Sequence, residues 1–82
     1  MKKYIYIGAE WCGQCMVLKP KFEDFCKKNN LNYEILDADK DESIVKKYEI
    51  RNIPFIAIEE NEKVIEKGLA MNILKNMEAS HV

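Results

Sequence analysis

This sequence lacks several features that mark other classes of protein. It has no apolar run near the ~20 residues that a membrane-spanning helix needs, and it has no internal repeat and no low-complexity tract. Neither sign of charge dominates, because 13 basic and 14 acidic residues are interspersed along the chain. We therefore expect neither a membrane nor a nucleic acid as a partner. The composition, 48% hydrophobic and 33% charged, favours a single folded domain over residues 1–82.

The amino-terminal segment also lacks the pattern of a secretory signal peptide. Its start, Met1-Lys2-Lys3-Tyr4, is basic and then apolar, but Glu10 and a cysteine motif interrupt the apolar stretch too early. We therefore expect a cytoplasmic protein, and we expect it to be a monomer.

Cysteine and histidine are scarce. The three cysteines, Cys12, Cys15 and Cys26, are an odd number and do not suggest a framework of structural disulfides. In a reducing compartment a close pair indicates catalysis or metal binding, and a zinc site would need two further ligands. Cys26 lies ~16 Å further along the same predicted helix, and the single histidine, His81, is interpreted as a solvated tail residue. We expect no metal site, although the C-x-x-C spacing leaves zinc, or a cluster bound by a dimer through Cys12, as alternatives.

The spacing of apolar residues predicts the element order β-α-β-α-β-β-α. β-Branched and aromatic residues predict strands at residues 3–7, 32–36, 55–58 and 63–66. Helical periodicity predicts helices over residues 13–28 and 40–48 and from residue 69 onward. A right-handed crossover makes the first two strands parallel, and helices should cover both faces of the sheet in this α/β fold.

Four local signals refine this prediction. Pro20 removes a backbone hydrogen bond inside the first helix and should kink it. Asp39 followed by Glu42 resembles a capping box for the second helix. Residues 60–61 are predicted to turn the hairpin of the last two strands, and Gly68 is predicted to end it.

The segment Trp11-Cys12-Gly13-Gln14-Cys15 lies where the first strand ends and the first helix begins. There Cys12 faces free backbone N–H groups and the positive end of the helix dipole, so we expect its pKa to fall and its thiolate to act as a nucleophile. Cys15, one helical turn further on, can attack the Cys12 sulfur and displace a bound substrate. Gly13 leaves room for a substrate backbone, and Trp11 offers a flat apolar surface beside the sulfur.

Together with Pro20, the segment Ile50-Arg51-Asn52-Ile53-Pro54 and Gly68, this motif makes the chain resemble the thioredoxin family over nearly its whole length. The resemblance implies a four-stranded mixed sheet in the order 2-1-3-4 with three helices, and a cis Ile53–Pro54 bond packed against the cysteines. The family's first strand and helix are missing, so the length is that of a glutaredoxin.

The same resemblance implies a function. It implies a thiol–disulfide oxidoreductase that reduces protein disulfides through Cys12 and Cys15 and receives electrons from a donor of the thioredoxin-reductase type. No cofactor is implied beyond the cysteine pair. The implied substrate-binding residues are Trp11, Gly13, Gln14, Ile53, Pro54 and Gly68.

Three positions depart from the family pattern. Gln14 stands where the family usually has proline, and it adds a backbone N–H toward the attacking thiolate. The family's buried aspartate aligns with Tyr6, and the lysine partner of that aspartate aligns with Ile35. Tyr6 is thus a candidate proton-transfer position, but deprotonation of Cys15 must rely on water or on another group. Glu10 is the nearest carboxylate in sequence.

Two other functions stay open at this point. A glutathione-dependent glutaredoxin fits the short length, but residues 68–71 lack the glycine pair and aspartate that hold the glutathione carboxylate in that family. A binding module that docks a protein partner, with incidental redox activity, also fits the fold, although the two intact cysteines argue against it. Cys26 lies on the apolar face of the first helix and is interpreted as a small core residue. Met71 is interpreted either as a core residue or as part of an apolar docking rim.

Overall fold

Four strands and three helices follow one another in the predicted order. The computed structural model describes residues 1–80, so the interpretation of His81 lies outside the described residues. The elements are β1 (Lys2–Gly8), α1 (Gly13–Lys28), β2 (Tyr33–Asp37), α2 (Glu42–Lys47), β3 (Phe55–Glu60), β4 (Lys63–Leu69) and α3 (Ala70–Ser80). Within residues 1–80, no helix is both long enough and apolar enough to cross a bilayer.

The strands form one sheet in the order β2-β1-β3-β4, which confirms the predicted topology. β1 and β2 are parallel, whereas β3 runs antiparallel to both β1 and β4. The carboxyl ends of β1 and β2 therefore meet at one edge of the sheet, where Gly8 pairs with Asp37. The amino end of β3 reaches the same edge, because Ile7 pairs with Phe55.

Alternation along the strands sends side chains to two separate cores. Tyr4 and Tyr6 of β1 face the core that α1 and α3 cover, whereas Ile5 and Ile7 face the core beneath α2. The first core is completed by Phe22, Cys26, Ile56, Ile58, Ala70, Ile73, Leu74 and Met77. The second core is completed by Tyr48, Phe55 and Ala57. Helices thus cover both faces of the sheet, as predicted.

The predicted capping box of α2 is wrong. The residue that caps α2 is Asp41, and its side chain makes no capping hydrogen bond. Asp39 instead accepts a hydrogen bond from the indole of Trp11, with 2.6 Å between Nε1 and Oδ2. The Asp39 carboxylate, which the local pattern assigned to the helix, therefore bonds to Trp11, a residue distant in sequence.

The hairpin of β3 and β4 turns one residue later than predicted. Asn61 and Glu62 both have positive φ, 53° and 70°, which is the type I′ geometry whose twist matches that of the two strands. Gly68 does not end β4 either, because it pairs with Ile56 and the strand continues to Leu69. Pairing with a neighbouring strand carries the chain through a residue that disfavours strands by itself.

Candidate active site

Cys12 and Cys15 lie at the amino end of α1 and are joined by a disulfide. Cys12 is the residue that caps the helix, in an extended conformation, and its Sγ accepts a hydrogen bond from the backbone N–H of Cys15 at 3.2 Å. The sulfur therefore occupies the place where a helix favours negative charge. Cys12 is 8% exposed and Cys15 only 3% exposed, so Cys12 is the more exposed residue of the pair.

The loop that leads into β3 forms a second side of the site. The Ile53–Pro54 peptide bond is cis, and Ile53 packs against the two cysteines and Ala9. The carbonyl oxygen of Pro54 accepts a hydrogen bond at 2.9 Å from the backbone N–H of Ala70, where α3 begins. This bond ties the loop to the end of β4.

Trp11 is held beside the cysteines by the loop that follows β2. The indole is 72% exposed, yet its Nε1 donates to Asp39, whose own backbone N–H donates to Oδ1 of Asp37 at 2.8 Å. Sequence reasoning missed Asp39 as a residue of this site. The position of Asp39 just after β2 could have indicated its place in the site. Parallel strands bring the residues that follow them to one edge of the sheet.

The other residues predicted to bind substrate lie at different depths. Gly13 and Gln14 are exposed on the first turn of α1, and a side chain built at Gly13 would meet no atom within 4 Å. Gly68 is half-buried in β4, and a Cβ there would lie 3.5 Å from Ile73. Gly68 therefore packs against Ile73 of α3.

Large apolar side chains are exposed around these residues. Met16 and Val17 follow Cys15 on α1 and are 60% and 59% exposed, and Leu69 precedes α3. Met71 is 49% exposed, so it belongs to the surface and not to the core. Exposed apolar side chains beside a reactive sulfur suit the docking of another protein.

Tyr6 lies behind Cys15, at the position that sequence reasoning singled out. Its hydroxyl donates a hydrogen bond to the carbonyl oxygen of Cys15 at 2.9 Å. Burial raises the pKa of Tyr6 to about 12, so the hydroxyl stays protonated at neutral pH. A Cβ at Gly8 would lie 3.1 Å from the Cys15 sulfur and 3.3 Å from the Tyr6 ring, which shows how closely these three residues pack.

Cys26 is fully buried in the core that α1 and α3 cover. Burial, and to a lesser extent the charge of Glu23, raises the pKa of its thiol to about 11. Within the described residues, no group of three His, Cys, Asp or Glu side chains is arranged to hold a metal ion. The structure thus joins Cys12 to Cys15 and leaves Cys26 as a free thiol.

Alkylation of the reduced protein near neutral pH should label Cys12 first, Cys15 more slowly and Cys26 only after denaturation. The reasons are the position of Cys12 at the helix start, its greater exposure, and the raised pKa of the buried Cys26 thiol. Peptide mapping by mass spectrometry measures all three. Faster labelling of Cys15 than of Cys12 would reverse the two roles, and a Cys12–Cys26 bond in the oxidised protein would contradict the pairing.

A four-stranded mixed sheet of this order, with a C-x-x-C disulfide at the start of the helix after β1 and a proline before β3, defines the thioredoxin class of folds. The Thioredoxin family model matches residues 3–79. The chain therefore belongs to the thioredoxin family.

Individual relatives agree with this assignment. The chain is 35% identical over 62 residues to the thioredoxin of Mycoplasmoides gallisepticum, a match that covers 74% of this chain and 62% of the relative. It is 31% identical over 77 residues to the thioredoxin of Borreliella burgdorferi, with 83% and 66% covered. The chain thus spans less than two thirds of the length of these curated relatives.

Solved structures agree on the fold. Fasciola hepatica thioredoxin superposes with a TM-score of 0.84 at 23% identity and covers 99% of this chain and 81% of its own. Thioredoxin 1 of Thermosipho africanus superposes with a TM-score of 0.76 at 19% identity, with 98% and 99% of the two chains covered. The latter shows the same fold in a chain of similar length.

Proposed function

We propose that this chain is a thiol–disulfide oxidoreductase that reduces protein disulfides by dithiol exchange. The observation that carries the proposal is the Cys12–Cys15 disulfide at the amino end of α1, with the Cys15 N–H directed at the Cys12 sulfur. A thiolate at that place is stabilised by the hydrogen bond and by the helix dipole.

The reaction has two steps. The Cys12 thiolate first attacks one sulfur of a substrate disulfide, which forms a mixed disulfide and releases the other substrate sulfur as a thiolate. Cys15 then loses its proton and attacks the Cys12 sulfur, so that the Cys12–Cys15 bond forms and the second substrate sulfur leaves with the electron pair. The two cysteines supply both electrons, and no cofactor takes part.

We propose that substrates bind across the surface around Cys12. Exposed Trp11, Gly13 and Gln14 form one side, and Ile53 and Pro54 form the other. An extended substrate peptide would pair with the backbone before Pro54, as in strand addition. Gly68 would contribute by keeping its place near the end of β4 free of a side chain.

The proposed setting is a reducing one. The chain would act as a single-domain monomer in the cytoplasm and receive its electrons from a reductase. The free thiol of the buried Cys26 supports this setting, because a reducing compartment keeps thiols reduced. A structure in which a thioredoxin is bound to ferredoxin:thioredoxin reductase superposes with a TM-score of 0.82 at 23% identity. That likeness supports a donor of the same general type.

An electron-donor assay tests this function. With NADPH and thioredoxin reductase, the chain should reduce insulin disulfides, whereas glutathione with glutathione reductase should be a poorer donor by about 10–100-fold. That ratio is what the loss of one charged anion contact of ~1.5–3 kcal/mol would produce. The rate of insulin reduction with each donor is measured from the consumption of NADPH.

A double variant, Cys12→Ser with Cys15→Ser, is the control for this assay. It should be inactive with either donor, and an unchanged chain no more active than this double variant would favour the binding module instead. Efficient turnover with glutathione would favour the glutaredoxin alternative over the proposed donor.

A further inference from the structure

The resolving step needs a group that takes the Cys15 proton. A thiol must be deprotonated as it attacks a disulfide sulfur. The Tyr6 side chain lies behind Cys15, but it is a protonated hydroxyl that donates to the Cys15 carbonyl oxygen. Tyr6 therefore fixes the backbone of Cys15 and does not accept its proton.

An open pocket of about 160 Å³ lies next to this position, at the carboxyl edge of β1 and β2. A water molecule needs roughly 10–15 Å³ of such space, so the pocket has room for several. Tyr6 and Gly8 of β1 line the pocket together with their partners on β2, Ile35 and Asp37. The pocket thus brings solvent close to Gly8, which packs against the Cys15 sulfur.

Asp37 is the carboxylate that the fold places opposite this residue. It pairs with Gly8 across the parallel ladder, so the two backbones lie ~4.8 Å apart. A Cβ at Gly8 would lie 3.1 Å from the Cys15 sulfur, so Gly8 packs directly against that sulfur and also lines the pocket. The Asp37 side chain is oriented by its Oδ1, which accepts the backbone N–H of Asp39 at 2.8 Å.

The other charged groups around the pocket are less well placed. Glu10 also lines it, but its side chain is 84% exposed and lies 3.8 Å from Lys40. Lys19 of α1 contributes a cation to the lining. The titratable side chains that line the pocket with Asp37 are thus Tyr6, Glu10 and Lys19, and Asp39 contacts Asp37 through its backbone N–H.

We propose that Asp37 accepts the Cys15 proton through water in this pocket when a mixed disulfide on Cys12 is resolved. The inference rests on the proposed dithiol exchange. A water molecule takes the thiol proton and passes one to the Asp37 carboxylate, while the Cys15 sulfur bonds to the Cys12 sulfur. The bond between Cys12 and the substrate breaks, and the substrate sulfur leaves with the electron pair. Asp37 then returns its proton to solvent through the open side of the pocket.

Stopped-flow reaction of the reduced protein with dithiobis-nitrobenzoate separates the two steps, because each releases one coloured thiolate. The first phase is attack by Cys12, and the second is resolution by Cys15. Asp37→Asn keeps an oxygen that can accept the Asp39 N–H, and Glu10→Gln is the matched control on the other carboxylate of the pocket.

Asp37→Asn should leave the first phase unchanged and slow the second by about 10-fold at neutral pH. This is below the 10²–10⁴-fold of direct general-base catalysis because the proton passes through water. The deficit should shrink in alkaline buffer, where hydroxide ionises Cys15 without help from Asp37. Glu10→Gln should behave like the unchanged chain, and formate should accelerate the second phase of Asp37→Ala.

Either of two results for Asp37→Asn would overturn the inference: a second phase as fast as that of the unchanged chain, or a deficit that is the same at every pH. A larger loss in Glu10→Gln would also overturn it, since the other carboxylate would then be the acceptor. Failure of the first phase in the unchanged chain would instead contradict the proposed function. If Asp37→Asn does not fold, Asp37→Ala decides the matter, because no acceleration by formate counts against Asp37.

Discussion

Replacing Cys12 by serine is expected to abolish disulfide reduction, with a loss of more than about 10³-fold in turnover. The hydroxyl of serine is far less acidic than a thiol, so no mixed disulfide with the substrate forms. The capping position itself accepts serine well, because a serine oxygen can take the Cys15 N–H in place of the sulfur. The fold should therefore survive while the chemistry is lost, and insulin reduction coupled to NADPH consumption measures the difference.

Two further cysteine variants control this experiment. Cys15→Ser should form the mixed disulfide and fail to release it, so the covalent adduct on Cys12 should accumulate and be visible by mass spectrometry. Cys26→Ala should remain active, because Cys26 is buried away from the disulfide. Substantial activity in Cys12→Ser, or equal losses in Cys12→Ser and Cys26→Ala, would contradict the assignment of the attacking thiol.

Phe22→Ala should destabilise the protein by about 3–5 kcal/mol, the usual range for removing a buried phenylalanine. Phe22 is fully buried, and its ring centroid lies 5.3 Å from that of Tyr6 and 5.9 Å from that of Tyr33. It thus joins α1 to both β1 and β2. Domains are stable by only ~5–15 kcal/mol in total, so this single change removes a large part of the stability. Urea denaturation of the oxidised protein measures the free energy of unfolding.

Val17→Ala is the matched control on the same helix. Val17 is 59% exposed, so its truncation should change the free energy of unfolding by less than about 0.5 kcal/mol. If both variants lose the same free energy, Phe22 does not anchor α1 to the sheet, and the description of this core is wrong.

Short-range patterns carried much of the fold prediction. The helix over residues 13–28 agrees with α1 at both ends, because its apolar residues recur at helical spacing and one face is buried at Cys15, Phe22 and Cys26. The prediction for α2 was weaker. Its start depended on a capping box that Asp39 does not form, and it is a short helix in which no residue is fully buried. A short helix with little burial leaves few constraints in its own sequence.

The parts of the site that depend on local sequence were predictable, as they were for the fold. The disulfide pair, its place at the start of a helix and the proline loop follow from residues that are near one another in sequence, and Tyr6 was singled out from the family pattern. The hydrogen bond from Tyr6 to the Cys15 carbonyl was not predicted, because the direction of a buried hydroxyl depends on what packs around its ring. Asp37 carried no local signal of its place opposite Gly8.

The sequence by itself determined the cysteine pair and the order of the elements. Both depend on local spacing: two cysteines one helical turn apart, and apolar residues that alternate along strands or recur along helices. Only the tertiary structure decided what surrounds the sulfurs. The indole of Trp11 bonds to Asp39, 28 residues away, and Asp37 lies opposite Gly8 in the parallel ladder. These contacts depend on the register in which β2 pairs with β1, and that register is set by the packing of the whole sheet against its helices.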